Sequence, residues 1–329
     1  RRRRKAVKTT TTISNIAEAL LEASNIAILT HIQPDGDALG SSLALMLMLR
    51  RMGKNARVFC QDAVPASLKF LPRWEEVSIP DEASLEADIV IALDASDEGR
   101  LGSCFDMIKT AKKSIQIDHH ATNSLFADYN LVDSSVAATG MLVFRLAKEL
   151  GASIDKDIAT YLYTAISSDT GNFCFPSVTD ETFDQMAELM RAGLDISTNA
   201  QKLHLLKGLG NIRMTGSALS SLKIKAAGRL SSMCLLKEDF VKNDARIEEA
   251  DGIVNLGLYI HGVEAAYLAT ETACGIKFNL RCLKPYDVSI VAQQFGGGGH
   301  MLAAGCTIKS SMDKALESMD KAMEEMLKA

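Results

Sequence analysis

The stretch NIAILTHIQPDGDAL, Asn25 to Leu39, decides the architecture of this chain. Its apolar, β-branched start predicts a strand over residues 26–30, and the chain then delivers His31, followed by Asp35 and Asp37 on either side of Gly36. From Ala38 an apolar run continues to Met52 and is closed by Gly53, which predicts a helix over 38–52. A strand that feeds a helix through a short polar turn is the building unit of a parallel sheet. The two carboxylates stand so close that repulsion would raise one pKa unless a divalent cation neutralised them.

Working outward, the same alternation runs from 15 to 173. Strands are predicted at 57–60, 89–93 and 114–117, and helices at 137–150, 155–168 and 180–191. The first half is therefore α/β, a mainly parallel sheet with helices on both faces. Ligands of open α/β sheets gather beyond the carboxyl ends of the strands, which is where His31, Asp94 and Asp118-His119-His120 fall. The helix over 155–168 ends in SSDTGN, so Asp169 projects from a helix end toward the same crevice.

Glycines at 193, 208, 210 and 216 punctuate a helical linker over 193–216. Beyond it a smaller α/β domain, 217–329, starts afresh with strands at 230–236, 264–269, 276–283 and 306–309. Its closing amphipathic helix, 312–327, sets Ala315, Met319, Ala322 and Met326 on one side as core. Residues 12–192 then form the first domain, and 1–11 a disordered basic tail.

A length of 329 residues suits two domains, each with its own core. With 36 Lys and Arg against 41 Asp and Glu, the net charge of −5 excludes a global polyanion coat, so any polyanion is gripped locally. Seven scattered cysteines without a CxxC pair point to a reducing cytoplasm and away from a disulfide framework or zinc ribbon. The apolar run at 43–49 is far shorter than the roughly 18 to 20 residues of a membrane span. Arg1 to Lys5 lacks the apolar segment of a secretory signal and reads as tail, with a polyanion-attracting arm as the alternative.

The chemistry lies in the joint pattern. An isolated aspartate at a strand end is usually a helix cap or turn residue. HxxxDxD, a strand-end Asp, DHH and a helix-end Asp at successive sheet ends point instead to a shared metal site. Oxygen ligands with imidazole suit Mn²⁺, with Mg²⁺ the other candidate. Two such cations, roughly 3.5 to 4 Å apart, would activate a water and clamp an in-line displacement at phosphorus. Asp94 is the natural bridge. His204 and His261 lack acidic partners at useful spacing and read as packing or surface residues.

In the second half, QFGGGGH (Gln294 to His300) bares backbone amides that can approach a phosphate or nucleobase, and His300 adds a donor. A hinge is the alternative reading. Arg281, in the strand KFNLRC, could fork onto a phosphate.

With these motifs side by side, the chain resembles the DHH phosphoesterase superfamily over roughly residues 12 to 310, in the branch with a DHH-associated second domain. Its compact length is similar to that of the bifunctional oligoribonucleases and 3′-phosphoadenosine 5′-phosphate phosphatases, the nanoRNases. The resemblance implies that His31, Asp35 and Asp94 hold one Mn²⁺, and that Asp37, Asp94, His119 and Asp169 hold the other. It places His120 at the scissile phosphate with Asp118 orienting the histidine pair. It assigns Arg281 and Gly297, Gly298, Gly299 and His300 to the terminal nucleotide across an interdomain cleft. Asn279 and Cys282 stand where many relatives carry serine. The glycine-histidine motif argues against the manganese pyrophosphatases, whose second domain differs.

The implied activity is release of mononucleotides from very short oligonucleotides and dephosphorylation of a 3′,5′-nucleoside bisphosphate. Alternatives are a linear or cyclic dinucleotide phosphodiesterase, a RecJ-like single-strand exonuclease, against which the length speaks, and a non-catalytic nucleotide sensor. The expected partners are short oligonucleotides and small nucleotides, with no membrane; the resemblance also allows a homodimer.

Overall fold

The computed structural model describes residues 9–80 and 87–328, apart from the side chain of His300, and divides into two compact units, Arg1–Leu206 and Lys207–Ala329. In the first, α1 (Ile13–Glu22) leads into β1 (Asn25–Leu29), α2 (Gly36–Arg51), β2 (Asn55–Phe59) and β3 (Ile89–Leu93). Then come α3 (Phe105–Thr110), β4 (Ser114–Asp118), β5 (Tyr129–Val132), α4 (Thr139–Glu149), α5 (Lys156–Asp169), α6 (Asp180–Arg191) and α7 (Ile196–Ala200).

The five strands pair in parallel in the order β2-β1-β3-β4-β5. The direction of strand addition reverses between β1 and β3, so a crevice opens beyond the carboxyl ends of these two. Both faces are covered, as the alternation along β1 requires. Ile26 and Ile28 join the large core with α2, α4 and α5, whereas Ala27 and Leu29 pack with Leu101, Cys104 and Met107.

Helix α2 is buried on every side from Gly36 to Leu49, the property of a central helix. Two glycines let α5 lie directly against it. A Cβ at Gly40 would come within 2.4 Å of the Tyr161 carbonyl oxygen, and one at Gly36 within 2.4 Å of Ser168 Oγ. This contact brings the end of α5, with Asp169, up to Asp37.

Of the tail expected over 1–11, Thr9 to Thr11 are described and are tied to the first sheet. Thr10 N donates to Asn130 O at 2.9 Å, and Thr9 Oγ1 accepts from Val132 N at 3.0 Å, tying this segment to β5. Residues 1–8, with Arg1 to Lys5, lie outside the described residues.

The second unit comprises α8 (Leu209–Ser220), β6 (Lys223–Lys225), β7 (Leu230–Leu235), α9 (Lys237–Asn243), β8 (Ala265–Thr272), β9 (Gly275–Cys282), α10 (Val288–Gln294), β10 (Gly298–His300), β11 (Ala303–Ile308) and α11 (Met312–Lys328). Its mixed sheet runs β10-β11-β9-β8-β7-β6, with only β7 and β8 parallel. One face packs Tyr267, Phe278 and Leu280 against α10 and α11; the other packs Met233 and Leu268 with Met214 and Ala218 of α8. On α11, Ala315, Met319 and Ala322 are buried together with Met323 and Leu327, while Met326 is partly covered.

Two expectations need correction. The linker over 193–216 is not a separate segment: Leu194, Ile196 and Leu203 pack on the first core, and α8 already belongs to the second. The glycine run is not a hinge throughout: Gly296 lies in the turn after α10, but Gly298–His300 forms the edge strand β10 against β11. Among the described residues no helix is long and apolar enough to cross a membrane.

Candidate metal centre

Eight chemically active side chains of the first unit come from five segments, each placed by the end of a strand or helix. His31 follows β1 by two positions, and Asp35 caps α2, its Oδ1 accepting from the amides of Asp37 and Ala38 at 3.1 Å each. The cap and the candidate ligand are the same carboxylate. Asp94, directly after β3, adopts a left-handed φ of 57°, a conformation rare for a non-glycine residue and typical of functional sites. Asp118 is the last residue of β4, and Asp169 the last of α5. A carboxylate at a helix C-terminus meets the negative end of the dipole, so Asp169 is stabilised only by what faces it.

Asp94 stands at the centre. Its Oδ2 is 3.7 Å from His31 Nε2, and its Oδ1 is 3.6 Å from His119 Nε2. His31 Nε2 is also 3.6 Å from Asp35, and His119 Nε2 lies 3.1 Å from Asp169 and 3.9 Å from Asp37. His119 Nε2 is buried and makes no hydrogen bond, so it aims between the carboxylates rather than at one of them. That orphaned nitrogen, ringed by three carboxylate oxygens, fits a cation. Donor atoms gather into three groups: His31, Asp35 and Asp94; Asp37, His119 and Asp169; and Asp94, His119 and His120.

Electrostatics point the same way. Burial disfavours charge on both imidazoles, but Asp35 and Asp94 outweigh it at His31, which is pushed up to about 10. At His119 the burial is outweighed by Asp169, Asp94 and Asp37, again to about 10. Burial, then repulsion from Asp94 and Asp169, pushes the Asp37 carboxyl well above the ordinary range. Yet that carboxylate is also held as an acceptor by Ser41 Oγ at 2.9 Å and by the Thr139 and Gly140 amides at 2.6 and 2.9 Å. Cations in place of the imidazole protons satisfy both demands.

Two amides at the start of α4 thus seat Asp37, and Thr139 Oγ1 donates to Asp94 Oδ1 at 2.9 Å. Thr139 escapes the sequence reading; its signal is a Thr-Gly pair opening a predicted helix. Asp118, fully buried, accepts from His120 Nδ1 at 2.7 Å and from Asn123 Nδ2. His120 is raised by that carboxylate against the opposing effect of burial. Asp118 belongs to none of the three donor groups. His204, far from acidic partners in sequence, hydrogen-bonds Ser167 Oγ at 2.7 Å.

In the second unit Arg281 is held by Asn255 Oδ1 at 3.1 Å and the Leu280 carbonyl at 2.9 Å. Burial lowers its pKa. Across the sheet it pairs in register with Ala303, which pairs with His300; Gly298 pairs with Gly305. Gly297 and Gly299 are needed for this packing. A Cβ at Gly297 would meet the Gly305 carbonyl at 2.2 Å, and Gly299 has φ +143° with the Ala303 carbonyl at 2.6 Å. Gly298, by contrast, faces open space.

A carboxylate- and imidazole-rich centre at the switch point of a parallel α/β sheet suits metal-assisted hydrolysis of a phosphoester. Residues 25–166 match the DHH family, N-terminal domain, and residues 234–329 match the DHHA1 domain. The chain belongs to the DHH family of phosphoesterases. It is 34% identical to the bifunctional oligoribonuclease and PAP phosphatase NrnA of Thermus thermophilus, over 92% of this chain and 90% of that one. The protein of the same name from Bacillus subtilis is 28% identical over 85% and 88%. An exopolyphosphatase-related protein from Bacteroides fragilis superposes with a TM-score of 0.92 at 28% identity, covering 99% of this chain and all of that one.

Proposed function

We propose that this protein releases nucleoside monophosphates from very short oligonucleotides and dephosphorylates 3′,5′-nucleoside bisphosphates, using two Mn²⁺ ions. The observation that carries the two-ion reading is Asp94, whose two oxygens address different histidines, His31 and His119. The substrate class is supported by the NrnA relatives, which match nearly the whole chain.

His31, Asp35 and Asp94 would hold one ion; Asp37, Asp94, His119 and Asp169 the other. Bound cations would supply Lewis-acid charge to a phosphoryl oxygen and acidify a water. Asp118 fixes Nδ1 of His120, which leaves Nε2 to serve the phosphate. Arg281, a half-buried guanidinium, and Gly297, Gly298, Gly299 and His300, which reach the same sheet one strand beyond its neighbour, serve as the nucleotide-binding residues. Free thiols at all seven cysteines suit the reducing cytoplasm, where we place the protein. A homodimer is an assembly that the family resemblance allows.

The test is a Mn²⁺-supplemented panel of adenosine 3′,5′-bisphosphate, di- to pentanucleotides, cyclic dinucleotides and a long single strand. Turnover should be highest on the bisphosphate and the shortest oligonucleotides and decline with length. Preference for the long strand or the cyclic compounds would overturn the proposal; Mg²⁺ in place of Mn²⁺ should give lower rates.

A further inference from the structure

Arg100 lies in the 3-10 segment Glu98–Cys104 that follows β3. Its backbone is pinned on two sides: the amide donates to Asp97 Oδ1 at 3.1 Å, and the carbonyl accepts from Ile32 N, the residue after His31, at 2.8 Å. The side chain is half-buried, and its guanidinium forms no ion pair with a carboxylate among the described residues. Instead Nη2 lies 2.9 Å from His31 Nδ1.

That nitrogen has a second neighbour, the Ile32 carbonyl oxygen at 2.7 Å. A ring nitrogen cannot accept from one and donate to the other at once. If Nδ1 accepts from Arg100, the hydrogen of the neutral ring sits on Nε2, which then has no lone pair to offer a cation. If Nδ1 carries the hydrogen, it donates to Ile32 and leaves Nε2 free, the arrangement of a ligating histidine steadied by a backbone carbonyl. Nε2 faces the Asp35 and Asp94 carboxylates at 3.6 and 3.7 Å, so whether it holds a proton there or a cation, Nδ1 carries a hydrogen toward Ile32 and offers the guanidinium no acceptor. That guanidinium stands at the rim of a site built for a phosphoester, and an arginine fork is matched to phosphoryl oxygens.

We propose that Arg100 is a phosphate-gripping residue of the first unit, set beside His31 without an acceptor in that ring and taken up by the substrate phosphate. The proposal rests on the phosphoesterase site and not on the nucleotide class of the substrate.

The test is calorimetric binding of inorganic phosphate to the full-length Mn²⁺-loaded protein, parent against Arg100→Gln and Arg100→Lys, with Mn²⁺ affinity of each followed by electron paramagnetic resonance. Arg100→Gln should bind phosphate at least about 10-fold more weakly, and Arg100→Lys, which keeps the charge and loses the fork, about 3-fold more weakly. Mn²⁺ should bind Arg100→Gln as tightly as the parent or more so, since a neighbouring positive charge has gone. Phosphate affinity within 2-fold of the parent in both variants would overturn the proposal. So would a 10-fold parallel loss of Mn²⁺ affinity, which would make Arg100 a mere support of the His31 ring. If Arg100→Gln melts far below the parent, the Lys variant decides, and undiminished phosphate binding there overturns the proposal. A parent that binds no phosphate would overturn the phosphoesterase reading of the site itself, an outcome separate from a variant that binds as well as its parent.

Discussion

The two units solve opposite problems. The first gathers like charges: four carboxylates and three imidazoles from distant segments, each held by neighbours, at a density that water and protein alone do not balance. The second thins the chain out, with consecutive glycines along an edge strand and one half-buried guanidinium two strands away. On the proposed reading, chemistry is concentrated where charge is crowded, and substrate selection falls where side chains are removed. Substitutions in the two units should fail in different ways.

The largest effect is expected at the shared carboxylate. Asp94→Ala should lower kcat by about 1,000-fold or more in release of nucleoside monophosphate from a dinucleotide, with the fold retained by circular dichroism. A variant within 10-fold of the parent would remove Asp94 from the chemistry. Next comes Arg281→Ala, where the loss should fall on binding: KM higher by about 10- to 100-fold with kcat within a few-fold. A fall confined to kcat would move Arg281 out of the substrate-binding role.

The glycines sharpen the contrast within one strand. Gly299→Ala must force a Cβ into the Ala303 carbonyl at φ +143°, and should cost about 1–3 kcal/mol in chemical denaturation of the second unit. Gly298→Ala enters open space and should change stability by less than about 0.5 kcal/mol, while weakening nucleotide binding. Equal destabilisation by both would reduce the motif to a packing device.

The smallest effect is a pH dependence of the metal-free protein. His31 and His119 are raised to about 10, above the ordinary 6.5. The stability they contribute when protonated is complete below pH 6.5 and disappears as pH rises through about 10. The melting temperature of metal-free protein should therefore fall between pH 7 and 10, and that of Mn²⁺-loaded protein should change less. For the same reason Mn²⁺ uptake at pH 7 should release protons, which calorimetry in buffers of different ionisation enthalpy detects. A flat apoprotein profile would contradict the charge balance drawn for the site.

Much of this division was legible in the chain. Crowded carboxylates are visible because they are costly, and the apolar runs before His31, Asp94 and Asp118 mark strand ends whatever the details of packing. The supports were not legible. Thr139 and Gly140 seat Asp37 only because α4 begins beside α2, a tertiary fact that the Thr-Gly pair opening the helix does not by itself specify. Gly36 looks like a turn residue between two aspartates, yet its role is to admit Ser168 of α5. Strand β10 was missed because glycines carry no hydrophobic period to reveal pairing, and the linker because its helices are divided between two cores.

The central claim is a pair of cations sharing Asp94. Titration of the metal-free protein with Mn²⁺, read by electron paramagnetic resonance, tests it most directly. The account predicts two ions per chain with a spin-coupled spectrum, and loss of the coupling in Asp94→Ala. A single, uncoupled ion in a fully active parent would contradict it.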